Sequence, residues 1–527
     1  MKKKLRLVLL SLPLLIAAII VSIFLIRYRS AGDVLLTGVT TANEGVYLLR
    51  AREVGAQQVR LSRGESAHLT LSSNGRYAAF TCKKGDSSRE TLLYDLTQPR
   101  KPLLRLQQSY PKALLPLDDG SLISLSNSRL YRNGEALADN IFSLGGLSAD
   151  STALYCLREV VEDRLDLCRI SLSDGSLTTI LENVRQSSLQ LTQDAAGQDI
   201  IICAQKHLCE FTMYDLVHDS LAEADENATD EEAMKRNDLR ERMRQESTRE
   251  TVYTIYRITA DKQEVLAEGV SHDFFCDPLT GIVVHRLGRL FQQKVDIATL
   301  RDKYVPLDHT WYCTVDGTRT PLLRTTIPAA EISVQFSGDG AMLAHWSSYS
   351  YERLWHLKDG VPVEANLVNG IQSAHFLRNM DGEMQLYYKT FDGMLYCHDG
   401  EENRLIRENI WSAYLPCRIL PDGTRQIVDD RIYVIADAGA SDMEDIRYWW
   451  PNNSTLLLMQ NGKETVLANI SNSSPSLIAA LPDGSVLMES GPLYIVGENR
   501  TDRLFSRIPA PAWWDALFVG TELVTLN

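Results

Sequence analysis

Histidine and cysteine are the first places to look for chemistry in this chain, and their spacing is uninformative. The ten histidines include no H-E-x-x-H and no paired ligand spacing; His345 and His375, for example, stand singly. The nine cysteines, at positions 82, 156, 168, 203, 209, 276, 313, 397 and 417, contain no C-x-x-C. Zinc and dithiol redox sites depend on such spacings to bring two ligands onto one ion or two thiols together. Asp437, Asp442 and Asp445 in ADAGASDMEDI offer oxygens to calcium but lack the EF-hand order, so they read as a solvated loop. There is no G-x-S-x-G nucleophile elbow. In Ser337-Gly338-Asp339-Gly340 the glycine follows the aspartate directly, unlike the S-x-D-x-G-x-x-W turns of sialidases. We therefore assign no catalytic, cofactor or metal residue from sequence. Paired glycosidase carboxylates meet in space rather than in sequence, so a glycan-active or other hydrolytic enzyme with acids in a channel stays open as the alternative to a binding protein.

Two further groups have a reading of their own. Cys156 and Cys168 lie symmetrically about Glu162 in YCLREVVEDRLDLC, so a hairpin there sets them opposite each other. Two states are open to them: a cross-strand disulfide in an oxidising compartment, or two small buried thiols. All eight tryptophans lie at or after Trp311. The pair Trp449-Trp450 precedes Pro451 in a loop-like stretch, where the rings could form a binding rim or fill space between sheets.

These residues need a scaffold, and the sequence describes one. At 527 residues, with 44% hydrophobic and 23% charged residues, the chain is too long for one core and has an ordinary folded composition. A net charge of −14 opposes a phosphate-binding surface, which excludes nucleic acid as the expected partner. Residues 1–6 are basic, and Leu7–Ile26 runs twenty residues without a charge, a bilayer-spanning length. Arg27-Tyr28-Arg29 stands where a cleavage site would be. The expectation is a cytoplasmic tail at 1–6, a transmembrane signal anchor at 7–26 and a linker at 27–44. The remainder, 45–527, is then a cell-membrane protein's extracellular domain, because positive charge favours the cytoplasmic side.

The domain at 45–527 repeats a phrase: LTLSSNGRYAAF at Leu69–Phe80, PLDDGSLISL at Pro116–Leu125, GLSADSTALYCL at Gly146–Leu157, QFSGDGAMLAHW at Gln335–Trp346, ILPDGTRQIV at Ile419–Val428 and ALPDGSVLME at Ala480–Glu489. A turn of Asn, Asp and Gly between apolar strands marks a hairpin, and its recurrence marks repeated small sheets. GVYLLRA and QQVRLS near the start lack preceding partners, while WWDALF and ELVTL lack followers. Together they supply the four strands of one closing sheet. These phrases resemble the repeats of TolB-type and WD-repeat-like propellers, including the propeller halves of prolyl-oligopeptidase-like proteins. The overall plan resembles uncharacterised membrane-anchored propeller proteins of Gram-positive bacteria.

The resemblance implies an all-β fold, a β-propeller of four-stranded antiparallel blades, about eight and up to ten in number, closed by the N- and C-terminal strands. The spanning segment, the repeats and the missing catalytic motifs together point to a binding or interaction module for a protein, peptide or cell-wall ligand rather than an enzyme, with no cofactor. One stretch departs from the pattern. Asp219–Glu250 is highly charged, with a capping box at Thr229 and Glu232 and acid-to-base pairs four residues apart, such as Glu231 with Lys235. It reads as a helical insertion, either a docking arm or a plain surface excursion. Val295–Lys303 reads as a second short helix.

Overall fold

A computed structural model describes residues 31–526 apart from 43–44, 85–87, 108–109, 213–214, 216–228, 230–246, 293–309, 325–331, 347–351, 369, 438–452, 472–474, 491–492, 505–515 and 520–521. The anchor at 7–26, Trp449, Trp450, Asp442, Asp445, the body of the insertion within 219–250 and the stretch Val295–Lys303 fall outside the described residues. Among the described residues, no helix is long and apolar enough to cross a membrane.

The described chain is a succession of antiparallel strands in eight hydrogen-bonded sheets, six of four strands and two larger. Each larger sheet divides into two units of the same plan, so the described residues build ten units. Unit 1 joins Ala31–Ala42, Gly45–Val54 and Ala56–Arg60 to Ala516–Val519. Unit 2 is Ser66–Leu71 to Leu104–Gln107, unit 3 Ala113–Pro116 to Glu135–Asp139, and unit 4 Ile141–Leu147 to Leu177–Leu181. Unit 5 opens with Gln190–Gln193 and shares the long strand Gln263–Cys276 with unit 6, which ends at Thr318–Arg324. Unit 7 is Ile332–Phe336 to Val361–Ala365, and unit 8 Ile371–Arg378 to Asn403–Arg407. Unit 9 runs from Ile410–Ile419 to Lys463–Ser471, and unit 10 from Ser476–Ala480 to Arg500–Leu504.

The shared strand turns on a glycine. Gln263–Cys276 pairs with Ser247–Ile258 up to Val270, then with Val283–Leu287 from Val270 onward. Gly269 sits at the changeover with φ +65, and a Cβ there would meet the Phe291 ring at 2.5 Å. Only glycine meets both conditions without strain.

Successive side chains of a strand point to opposite faces, so a sheet packed on both sides needs apolar residues at consecutive positions. Leu122–Ser126 is buried throughout, and Tyr387 and Tyr388 enter different cores. Each core is shared by two neighbouring units. One joins Val39, Val46 and Leu48 of unit 1 to Ala78, Phe80 and Leu92 of unit 2. The series continues through every neighbouring pair to Tyr433 and Leu456 of unit 9 against Leu477 and Val486 of unit 10. The last core packs Leu36, Tyr47 and Leu49 of unit 1 on Ala479, Leu487 and Ile495 of unit 10. The cycle is closed.

Guanidinium groups reinforce it by donating to carbonyl oxygens of the next unit. Arg132 reaches Leu172 at 2.7 Å, Arg257 reaches Leu279 at 3.0 Å, Arg431 reaches Leu481 at 2.7 Å and Arg500 reaches Gly55 at 2.9 Å.

Three details differ from the sequence reading. Ala31–Ala42, within the stretch assigned to the linker at 27–44, is a strand paired with Gly45–Val54. Ser247–Glu250, assigned to the insertion, is the start of strand Ser247–Ile258, paired with Cys209–Thr212. The closing sheet holds three N-terminal strands and one C-terminal strand; Glu522–Leu526 instead pairs with Ala413–Cys417 in unit 9.

Candidate functional site

The recurring phrase marks the turn that follows the first strand in units 2, 3, 4, 7, 9 and 10. Its short polar side chains bind the turn's own backbone. Ser72 Oγ accepts the Tyr77 amide at 3.0 Å, Asp119 the Ser121 amide at 2.8 Å, Ser337 the Ala341 amide at 2.8 Å and Asp483 the Ser485 amide at 3.0 Å. Such side-chain bonds are why Asn, Asp and Ser favour turns. At Asp150, bonds from Ser148 and Thr152 hold the carboxyl at about 2, well below the usual range. Asp277 is the exception. It is 2% exposed, and burial raises its carboxyl against the bonds from Thr280 and Leu279, with Asp339 adding repulsion.

In unit 9 this turn becomes an arm. Ile410–Ile419 pairs with Ile432–Asp437 only through Tyr414, then runs on and doubles back at Leu420–Thr424 into Arg425–Ile427. The hairpin lies along unit 8, where Gln426 is the parallel partner of Arg378 and donates to the carbonyls of Asn379 and Met380 at 3.2 and 3.3 Å. Arg378 Nε donates to Thr424 Oγ1 at 3.2 Å, and its guanidinium stands 3.7 Å from Asp422. The tip reaches unit 5, where Thr192 Oγ1 donates to the Asp422 carbonyl at 2.7 Å. Gly338 of unit 7 lies between Thr424 and Leu279 of unit 6, each within 3.2 Å of where a Cβ would stand. Units 5, 7, 8 and 9 thus meet at one hairpin.

The polar groups of this assembly are engaged with one another, Arg425 with Glu522 at 3.0 Å and Arg418 with Gln426 at 2.7 Å included. Its exposed side chains include Ile419, at 61%, and Arg418, and in the adjoining turn of unit 8 Met380, at 58%, with Asp381 and Glu383. Among the described residues, no group of three or more His, Cys, Asp and Glu is placed to hold a metal ion.

The residues singled out from sequence are dispersed. The hairpin register sets Cys156 opposite Cys168; both are fully buried, both thiols are free, and burial pushes Cys156 up to about 12. His375 lies on the first strand of unit 8, its pKa lowered by burial and then by Arg425. Arg378, Thr192, Asp422 and Thr424 carried no sequence signal beyond the Pro-Asp-Gly at 421–423, because the partners are far apart in the chain.

Unit 8 also buries a lysine. Lys389 is 4% exposed, bonded to Gln372 Oε1, and burial lowers its pKa to about 8. The folded pKa lies below the unfolded 10.5, so the penalty is complete below pH 8 and disappears as pH rises past 10.5. Lys389→Met, similar in length, is therefore expected to stabilise the protein by about 2–3 kcal/mol at pH 7. Denaturant titrations at pH 7 and pH 10 should show the gain at the first and little at the second; a loss at pH 7 would refute the desolvation account.

Antiparallel four-stranded units sharing cores in a closed cycle define the class: this is a β-propeller. No family model and no curated protein sequence matches the chain. Solved structures with related folds include a eukaryotic initiation factor, at 10% identity and TM-score 0.43, covering 93% of this chain and 98% of that one. The β-propeller domain of the Trilobed protease from Pyrococcus furiosus has 12% identity and TM-score 0.30, covering 83% of this chain and 98% of that one. TolB from Acinetobacter baumannii has 10% identity and TM-score 0.24, covering 55% and 64% respectively. At these values the likeness concerns fold alone.

Proposed function

We propose that the chain is a ten-bladed, membrane-anchored propeller facing outside the cell, and that it binds a protein or peptide on its turn face without catalysing a reaction. The blade number rests on the ten shared cores that close the cycle. The anchor and its orientation rest on Leu7–Ile26 and the flanking Lys2, Lys3, Lys4 and Arg6. The observation that carries the binding reading is the hairpin Cys417–Ile427, braced by units 5, 7 and 8 and exposing Ile419. Apolar anchors on a rigid support with a polar rim are how protein interfaces concentrate affinity.

The test places a photo-crosslinking residue at Ile419 of the full chain in intact cells, with Val466, exposed on the outer strand of unit 9, as the control. A discrete adduct from position 419, several times the yield at position 466, is expected, since interface affinity concentrates at a few anchor residues. Equal yields at the two positions would overturn the reading. Protease added outside the cells should degrade the propeller; protection would reverse the orientation.

A further inference from the structure

We infer that the loop Thr97–Leu103 of unit 2 rests on the headgroups of the membrane that Leu7–Ile26 enters, so that the turn face of the propeller looks toward the bilayer. This placement rests on the anchored reading above and adds to it which surface meets the lipid.

Ala31 begins the strand Ala31–Ala42, and its partner across the sheet is Val54, at the turn into Ala56–Arg60. The Gly55 carbonyl in that turn accepts Arg500 Nη2 at 2.9 Å, and Arg500 Nη1 stands 3.4 Å from Asp483, which belongs to a turn of the recurring phrase. Ala31 therefore leaves the propeller on the turn face. Only residues 27–30 separate it from Ile26, and five steps of fully extended chain reach at most about 18 Å. The headgroup layer takes up about 5–8 Å of that reach. Ala42, at the other end of the strand, is about 36 Å away. The connector thus holds the turn face, and not its opposite, near the lipid.

Beside unit 1 on that face lies the turn between the third and fourth strands of unit 2. Arg50 of unit 1 donates to the Leu96 carbonyl, and Asp95 pairs with Arg76 of the recurring turn at 2.8 Å. From there the chain runs Thr97-Gln98-Pro99-Arg100-Lys101-Pro102-Leu103. Arg100 and Lys101 are exposed, and Leu103 is 57% exposed. Two cations beside a projecting leucine suit the edge of a bilayer, where the charges meet anionic headgroups and the leucine enters the layer beneath. Pro99 and Pro102 restrict the backbone, which lowers the entropy lost on docking. Arg27 and Arg29 extend the same basic zone along the connector. The contact is local. Asp118 and Asp119 in the turn of unit 3 and Asp483 in that of unit 10 put negative charge on either side, which an anionic surface repels. The face stands off the lipid there, and Ile419 of unit 9 stays uncovered.

Reconstitution of the full chain in vesicles of equal parts phosphatidylcholine and phosphatidylglycerol tests this. A fluorescent amino acid is placed at position 103 or, as the control, at 161; Val161 is 57% exposed at the turn between the second and third strands of unit 4, on the opposite face. The quencher is a lipid nitroxide just below the headgroups. Quenching at 103 should exceed that at 161 by about threefold or more. It should fall about twofold in the double variant Arg100→Glu with Lys101→Glu, in pure phosphatidylcholine, and in about 1 M salt, where charges are screened within about 3 Å. The lipid and salt series keeps Arg100 and Lys101 in place and so needs no variant of them to fold. Equal quenching at the two positions, more at 161, or quenching at 103 that ignores lipid charge would each overturn the placement. Alkaline carbonate separates it from the reading it rests on. A chain washed off the vesicles overturns the anchor and the placement with it, whereas a chain that stays with 103 unquenched overturns the placement alone.

Discussion

Ending the chain after Thr521 is expected to lower the melting temperature by roughly 5 °C, although the deletion is remote in sequence from the unit it damages. Glu522–Leu526 pairs along Ala413–Cys417 and inserts Val524 and Leu526 into the core between units 8 and 9, where Leu526 is fully buried beside Leu415 and Leu377. Leucine lost from a packed core costs about 2–5 kcal/mol, and valine adds to it. The backbone of Ala413–Cys417 also loses a partner and becomes an open edge. A total on the order of 5 kcal/mol is comparable with the whole stability of an ordinary domain. Thermal unfolding followed by circular dichroism of the full and shortened chains measures it. Leu526→Ala alone should reproduce about half of the loss. Arg425→Ala should cost under about 1 kcal/mol, because the Arg425–Glu522 pair is partly exposed on both sides. If the shortened chain melts with the full one, the strand is an ornament and closure of the ring does not depend on it.

That expectation rests on a feature the sequence reading placed elsewhere. ELVTL reads correctly as a strand, but nothing local says which sheet it joins. Strand propensity and turn chemistry act over a few residues, and so they revealed the hairpins: Ser72–Gly75, Ser337–Gly340 and Asp483–Gly484 were visible because those residues bond their own turn. Sheet membership is settled by long-range packing. The same limit hid the double use of Gln263–Cys276, whose change of partner depends on Gly269 facing Phe291. It hid Ala31–Ala42 as well, whose DVLLTGV follows a hydrophobic segment and a polar connector and looks like more of that connector. For the candidate site the gap is wider. Pro421-Asp422-Gly423 reads like any other turn of the series, and its distinction is that Thr192, Arg378 and Gly338 surround it in space.

Acid should weaken this protein through a single imidazole in unit 6. His285 is fully buried, its Nε2 is 2.8 Å from Thr314 Oγ1 and its Nδ1 3.4 Å from the Arg286 carbonyl. Tyr312 faces the ring at 6.2 Å, and Arg319 opposes a positive charge there. Burial, the largest cause, takes the pKa down to about 4 from the ordinary 6.5. Between these values the unfolded chain binds a proton that the folded chain refuses, so stability rises with pH across the window and is lost as pH falls through it. From pH 7 to pH 5 the loss from this group alone is about 2 kcal/mol. His356 and His375 shift in the same direction, whereas the raised carboxyl of Asp277 acts in the opposite sense. Comparing wild type with His285→Gln at each pH removes those shared contributions. The variant should be less stable at pH 7, having exchanged a fitted ring for an amide, yet its stability should fall by about 2 kcal/mol less on going to pH 5. Parallel pH profiles for the two proteins would mean that His285 takes up its proton equally in the folded and unfolded states, and that water reaches a side chain the packing of unit 6 against its neighbours should keep dry.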